Sequence, residues 1–141
     1  MKKKSKGSRS WSRLLATQAL YQLSFNKNIE IATVKKNLLK NNETKNIPDR
    51  RFFFKLINET IKNKNFLDKK LENELKKNKF SKMETIIKVI LELALCEILF
   101  FKELSHKISI AEYNKVSSSF LNKNEVGLIN GILHQMSKKY K

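Results

Sequence analysis

Groups able to make or break bonds are few in this sequence. The one cysteine, Cys96, lies in a strongly apolar stretch, where a thiol is buried and inert rather than nucleophilic. Of the two histidines, His106 follows a helix-ending segment and His134 follows Leu133 in an exposed phase, so both read as surface residues. These counts exclude a disulfide framework and argue against a Cys- or His-based metal cluster. Three glycines leave no phosphate-cradling loop. Glu84, Lys88 and Glu92 stand four apart, so they line one edge of a helix and form a candidate protein-partner face. Glu97 falls about 140° around from Glu92 at ~100° per residue, on the apolar side, where an acid is expected to accept structural hydrogen bonds from nearby backbone or a capped terminus. No nucleophile elbow or obvious carboxylate pair accompanies these groups. The expected catalytic residues, metals and cofactors are therefore none.

Charge is what remains. Thirty basic residues against thirteen acids give +17 over 141 residues, and only Arg9, Arg13, Arg50 and Arg51 are arginines. Such a field favours polyanions, either nucleic acid or an anionic membrane surface. A general bias toward Lys, Asn and Ile raises the total, but the distribution is uneven. Lys2, Lys3, Lys4, Lys6, Arg9, Arg13 and Lys27 precede the first acid, Glu30. Arg13, Thr17, Gln18 and Gln22 break any secretory apolar run. A mitochondrial presequence is basic and acid-poor in the same way, but removing this segment would delete an apolar helix face. Residues 86–101 are too short and too charged to span a bilayer. The expectation is a soluble, cytoplasmic protein without a membrane partner.

The elements that must position these charges read as helices. One proline and three glycines are too few for a turn-rich sandwich or barrel. Residues 1–8 form a flexible basic arm, and residues 9–141 one helical domain. Ser8 or Ser10 caps a first helix with Trp11, Leu15, Ala19 and Leu23 on one stripe. A short helix over residues 31–40 carries Val34 and Leu38, and residues 41–47 are a loop. Pro48 opens a helix with Phe53, Leu56, Ile57 and Ile61. After a break near residues 63–65 the pattern resumes with Phe66, Leu67, Leu71 and Leu75. Ser81 and Glu84 read as a capping box for a helix apolar nearly all round, which belongs at the centre of a bundle. Ser105 or Ser109 starts the next helix, with Ile110, Tyr113, Val116 and Phe120. Asn124 is a candidate cap for the last, where Gly131 is expected to allow close helix packing. The residues alone thus give an all-α bundle of six or seven helices.

Four runs in this order carry a resemblance. R-L-L-A-T-Q-A-L-Y at residues 13–21, I-L-E-L-A-L-C-E-I at 90–98, I-S-I-A-E-Y at 108–113 and L-I-N-G-I-L at 128–133 resemble the signature runs of the NusB transcription antitermination family. The resemblance spans nearly the whole chain, with residues 26–80 matching only in pattern. Cys96, Ala111, Ser105, His134 and Glu92 stand where that family often has Tyr, Asn, Pro, Asp and Arg. The resemblance implies a single compact NusB-like bundle of about seven helices and a non-enzymatic RNA-binding adaptor. It implies pairing with a ribosomal small-subunit protein, NusE, on the boxA element of ribosomal RNA leader transcripts. Together these would join an RNA polymerase antitermination complex that supports ribosomal RNA transcription and maturation. Family members occur as monomers or dimers, so a homodimer is open.

The same resemblance places the RNA on the first helix, at Arg9, Arg13 and Gln18, with Lys2, Lys3, Lys4 and Lys6 extending the field. It also brings the turn at Phe120, Asn122, Lys123 and Asn124 near that helix. Cations neutralise phosphates, while aromatic faces and amides hold unstacked bases. Two other readings stand beside this one: a helical accessory domain of an RNA-modifying system, and a general protein-interaction module without specific RNA.

Overall fold

The computed structural model describes residues 8–26, 28–40, 47–76 and 79–140. Among these, seven helices account for the regular structure: α1 (Arg9–Phe25), α2 (Ile31–Lys40), α3 (Arg50–Lys62), α4 (Lys64–Leu75), α5 (Thr85–Phe100), α6 (His106–Phe120) and α7 (Lys123–Lys139). No strand occurs among the described residues; Ser8 and Pro48 form one isolated bridge.

Local chemistry accounts for most of the helix ends. The Ser8 side chain accepts from the Trp11 backbone N–H and caps α1, and Ser105 does the same for α6 through Ile108. Ahead of α3, Pro48 precedes an Asp49 cap whose carboxylate accepts from the Phe52 N–H. Asn63 ends α3 and begins α4 at φ −104°, ψ 16°, with its side-chain amide turned back to the Glu59 carbonyl at 2.8 Å.

Two expected caps move. Helix α5 starts at Thr85, four residues past Ser81, and Glu84 makes no side-chain cap bond. Buried Phe80 anchors a turn there, and the Lys82 and Met83 N–H groups bond within it, so residues 79–83 do not wind into the helix. Asn122, not Asn124, caps α7, in a reciprocal capping box with Glu125. Gly131 also departs from expectation. It is exposed, and a Cβ there would meet nothing within 4 Å, so it supports no close packing.

Helix α5 is the axis of the bundle. It packs on α1, α3, α4, α6 and α7. Every residue from Val89 to Ile98 is buried, as its nearly unbroken apolar circumference requires. Leu15, Ala19 and Leu20 from α1, Phe53, Leu56 and Ile57 from α3, Leu67 and Leu71 from α4, and Ile129, Leu133 and Met136 from α7 close around it.

Inside this core lies an ion pair. The Arg13 and Glu97 side chains are 3% and 0% exposed. Arg13 donates Nε to Glu97 Oε2 at 2.7 Å and Nη2 to Oε1 at 3.0 Å. Glu97 also accepts from Ser109 Oγ at 2.8 Å and Tyr113 Oη at 2.7 Å. Glu112 stands 3.5 Å from Arg13 Nη1, and the Phe52 ring lies 4.9 Å from the guanidinium carbon. Burial opposes the guanidinium charge, but the hydrogen bonds and charge of Glu97 outweigh it and raise the Arg13 pKa. Burial, reinforced by Glu97, holds the Tyr113 hydroxyl protonated well above its ordinary range. Glu97 is therefore a structural acceptor as expected, but its donors are the side chains of Arg13, Ser109 and Tyr113 rather than backbone or a helix terminus.

Removing one partner of such a pair leaves the other charged, buried and unmatched, a cost of about 3–5 kcal/mol. Arg13→Ala and Glu97→Gln are each expected to lower the unfolding free energy by that order. Urea denaturation followed by circular dichroism checks it, and a loss below ~1 kcal/mol in both variants would contradict it.

Candidate nucleic-acid interface

The cationic edge is built where two helices begin together. Ser8 donates its N–H to the Ile47 carbonyl at 2.6 Å, Asp49 donates its N–H to the Ser8 carbonyl at 3.2 Å, and Ser12 Oγ donates to the Asp49 carbonyl at 2.8 Å. These bonds seat the N-terminus of α3 against that of α1. Arg9, Arg50 and Arg51 are exposed there. Arg9 keeps a loose contact with Asp49, 3.6 Å from Nε, and its guanidinium lies 4.8 Å from the Phe52 ring centroid. Arg50 and Arg51 pair with no acid among the described residues. Sequence reasoning did not select these two. Their signal was that all four arginines sit at the two helix starts, around the Pro48–Asp49 cap.

Arg13 requires a correction. It was expected on RNA, but its guanidinium is committed to Glu97 in the core and offers no surface to a phosphate. Arg9 remains available, being half-exposed, and Gln18 is half-buried. Lys2, Lys3, Lys4 and Lys6 lie outside the described residues.

The second patch is exposed as a group. Phe120 ends α6 with 39% of its surface accessible, and Asn122, Lys123 and Asn124 are exposed at the start of α7. The Asn122 amide is used in capping, and the Glu125 side chain accepts from its backbone N–H, so one carboxylate stands beside this turn. Helix α1 meets α6 at the Ser10–Glu112 hydrogen bond and the Arg13–Glu112 contact. Phe120 is eight residues further along α6, about 12 Å at 1.5 Å per residue. No hydrogen bond or ion pair among the described residues joins this turn to α1. Burial opposes ionisation of Glu112, but hydrogen bonds from Ser10 and Lys115 and the charge of Arg13 prevail, so its pKa is lowered.

The expected protein-partner row does not survive intact. Glu84 is exposed and Lys88 half-buried, but Glu92 is buried at the floor of a groove of about 690 Å³ between α1, α3, α4 and α5. Lys64 Nζ reaches it at 3.1 Å and Asp68 at 2.9 Å. A row four residues apart faces solvent only if no neighbour covers it, and here α4 does. Burial and the neighbouring Asp68 carboxyl raise the Glu92 pKa to about 8 against the pull of Lys64. This carboxyl pair across two helices was invisible in the sequence.

The remaining reactive groups are occupied or inert. Burial pushes the Cys96 thiol up to about 12. His106 Nδ1 pairs with Ser137 Oγ at 2.9 Å, and His134 is exposed. No His, Cys, Asp and Glu group able to hold a metal occurs among the described residues. No described helix is long and apolar enough to cross a membrane.

Glu92 has a measurable consequence. Its folded-state pKa lies above the ordinary 4.5, so between the two values the folded chain holds a proton that the unfolded chain has released. Its contribution therefore falls as pH rises through that window. Glu92→Gln, neutral throughout, is expected to gain at least about 1 kcal/mol on the native chain between pH 5 and pH 8.5. Parallel denaturation curves at those pH values check it, and an unchanged gap would refute it.

Comparison with known proteins agrees with the architecture. The sequence profile of the NusB family matches residues 10–138. The transcription antitermination protein NusB of Clostridium novyi is 30% identical over 129 residues, covering 90% of this chain and 96% of that protein. NusB of Rickettsia massiliae is 27% identical over 144 residues, covering 94% and 92%. Among solved structures, T. maritima NusB superposes with a TM-score of 0.84 at 22% identity, covering 95% of this chain and 93% of that one. A crystal structure of antitermination factors NusB and NusE in complex with dsRNA has a similar chain, at a TM-score of 0.82 and 17% identity, covering 94% and 97%. With the profile spanning nearly the whole folded body and the helices in the same arrangement, the chain belongs to the NusB family of transcription antitermination factors, which are not enzymes.

Proposed function

We propose that this protein is an RNA-binding antitermination adaptor. It pairs with the ribosomal small-subunit protein NusE on a single-stranded boxA-like element of ribosomal RNA leader transcripts. The assembly joins RNA polymerase in the cytoplasm and supports ribosomal RNA transcription and maturation. The observation that carries this reading is the exposed arginine edge at the joined starts of α1 and α3, on a body of the NusB family. A similar fold crystallised with NusE and dsRNA supports it.

The adaptor acts by charge and position alone. Arg9 and the N-terminal lysines neutralise phosphates, Phe120 offers a ring to an unstacked base, and Asn122, Lys123 and Asn124 offer polar contacts. Arg13 is replaced in this role by Arg50 and Arg51. The NusE face keeps Glu84 and Lys88, at the lip of the α4–α5 groove, and loses Glu92 as a direct contact. An accessory role in RNA modification predicts binding without preference for a boxA-like element. A general interaction module predicts none beyond charge attraction.

A gel-shift titration with a boxA-like RNA and a scrambled control, with and without NusE, decides among these. The boxA-like RNA is expected to bind more tightly, and more so with NusE. With about four phosphates contacted, affinity should fall with a log–log salt slope near −3, from roughly −0.7 per contact on a single strand. Glu84→Lys is expected to weaken NusE pairing while leaving RNA binding by the chain alone undiminished. Equal affinity for both RNAs under both conditions would overturn the reading.

A further inference from the structure

The groove between α2 and α3 shares only Arg50 with the interface described so far. It encloses about 550 Å³, within the roughly 300–1,000 Å³ typical of ligand clefts. Its apolar walls are Ile31 and Leu39 of α2, and its remaining side chains include Lys35, Lys36, Arg50 and Phe54, with no acid among the lining residues. Arg50 and Phe54 are one turn apart on the same face of α3. Phe54 is 36% exposed, while its neighbour Phe53 is buried in the core. Lys35 Nζ stands 5.3 Å from the ring centroid and donates to Asn58 Oδ1 at 2.6 Å. Burial already lowers the Lys35 pKa, so an anion here would relieve a real desolvation cost. Asp49, which precedes Arg50, is engaged with Arg9 and the Phe52 N–H.

We infer that this groove takes a nucleotide of single-stranded RNA, with its base on Phe54 and its flanking phosphates on Arg50 and Lys36, as a continuation of the strand path from the α1 edge. The inference rests on the RNA-binding reading above. Three features favour this occupant. An exposed ring among cations matches both halves of a nucleotide, the flat base and the charged backbone. The concave lining, without an acid among the described residues, suits one nucleotide better than a flat bilayer surface. Arg50 belongs to both the groove and the arginine edge, because the bonds among Ser8, Ile47 and Asp49 bring the two helix starts together. The groove therefore adds length to the bound strand rather than forming a separate site.

The test compares a short boxA-like RNA with the same element extended at either end by about eight nucleotides, using the full chain. The extended RNA is expected to bind more tightly to the native protein. Phe54→Ala should lose roughly 5- to 150-fold in affinity for the extended RNA, the range of one base–aromatic stack, and little for the short one. Phe54→Tyr should retain binding and Phe54→Leu should lose it, which separates stacking from packing. Arg50→Gln with Lys36→Gln should flatten the salt slope for the extended RNA by about 1.4, from roughly 0.7 per phosphate. Unchanged affinity and slope in these variants, while Arg9→Gln still weakens both RNAs, would overturn the groove assignment and leave the adaptor reading standing. Saturable binding of a poly-glutamate peptide to the groove in preference to RNA would also overturn it. Failure of the native chain to bind either RNA would remove both.

Discussion

The buried pair of Arg13 and Glu97 is the constraint around which the bundle is arranged. A guanidinium and a carboxylate out of water are tolerable only when every remaining hydrogen-bonding direction is met. Glu97 meets that demand with two bonds from α1 and two from α6. Helices α1, α5 and α6 are thereby held in one register. A slip of one residue in any of them would leave a bare charge in the core. Apolar packing sets how tightly the helices associate, and this cluster sets which faces meet.

The cluster gathers three of the four runs that carry the resemblance. Arg13 comes from the first run, Glu97 from the second, and Glu112 and Tyr113 from the third. Asn130 of the fourth accepts from Asn114 Nδ2 at 2.7 Å, tying α7 to α6. Segments far apart in the sequence thus meet at the structural centre. The motif arginine therefore serves the fold, and the charge available to a ligand belongs to Arg9, Arg50 and Arg51 outside the motifs. At the rim a long cation keeps its contact with water, whereas in the core it needs a matched acid.

Helix α5 shows the converse. Its polar strip looks like a solvated edge, yet α4 lies across its middle. Lys64 and Asp68 close over Glu92, while Glu84 at the start of the row stays exposed. The break at Asn63 directs α4 across that strip, and it depends on one residue leaving the helical path and bonding back to Glu59. A carboxyl that is neutral near physiological pH results from that crossing.

Periodicity and capping chemistry carried the helices themselves. The stripe of Trp11, Leu15, Ala19 and Leu23, the Ser8 and Ser105 caps, the break at Asn63 and the all-round apolarity of α5 are local properties, readable because each depends on neighbours within a turn or two. The excess of positive charge was equally plain in composition. What a residue faces across the bundle was not. Arg13, Glu92, Phe54 and Gly131 have ordinary local patterns, and the elements packed against them decide whether they are buried, exposed, paired or idle. Seven-helix order is a sum of local preferences, but a site depends on which helix starts touch. Here four backbone and side-chain bonds among Ser8, Ser12, Ile47 and Asp49 made that choice, between residues about 40 positions apart.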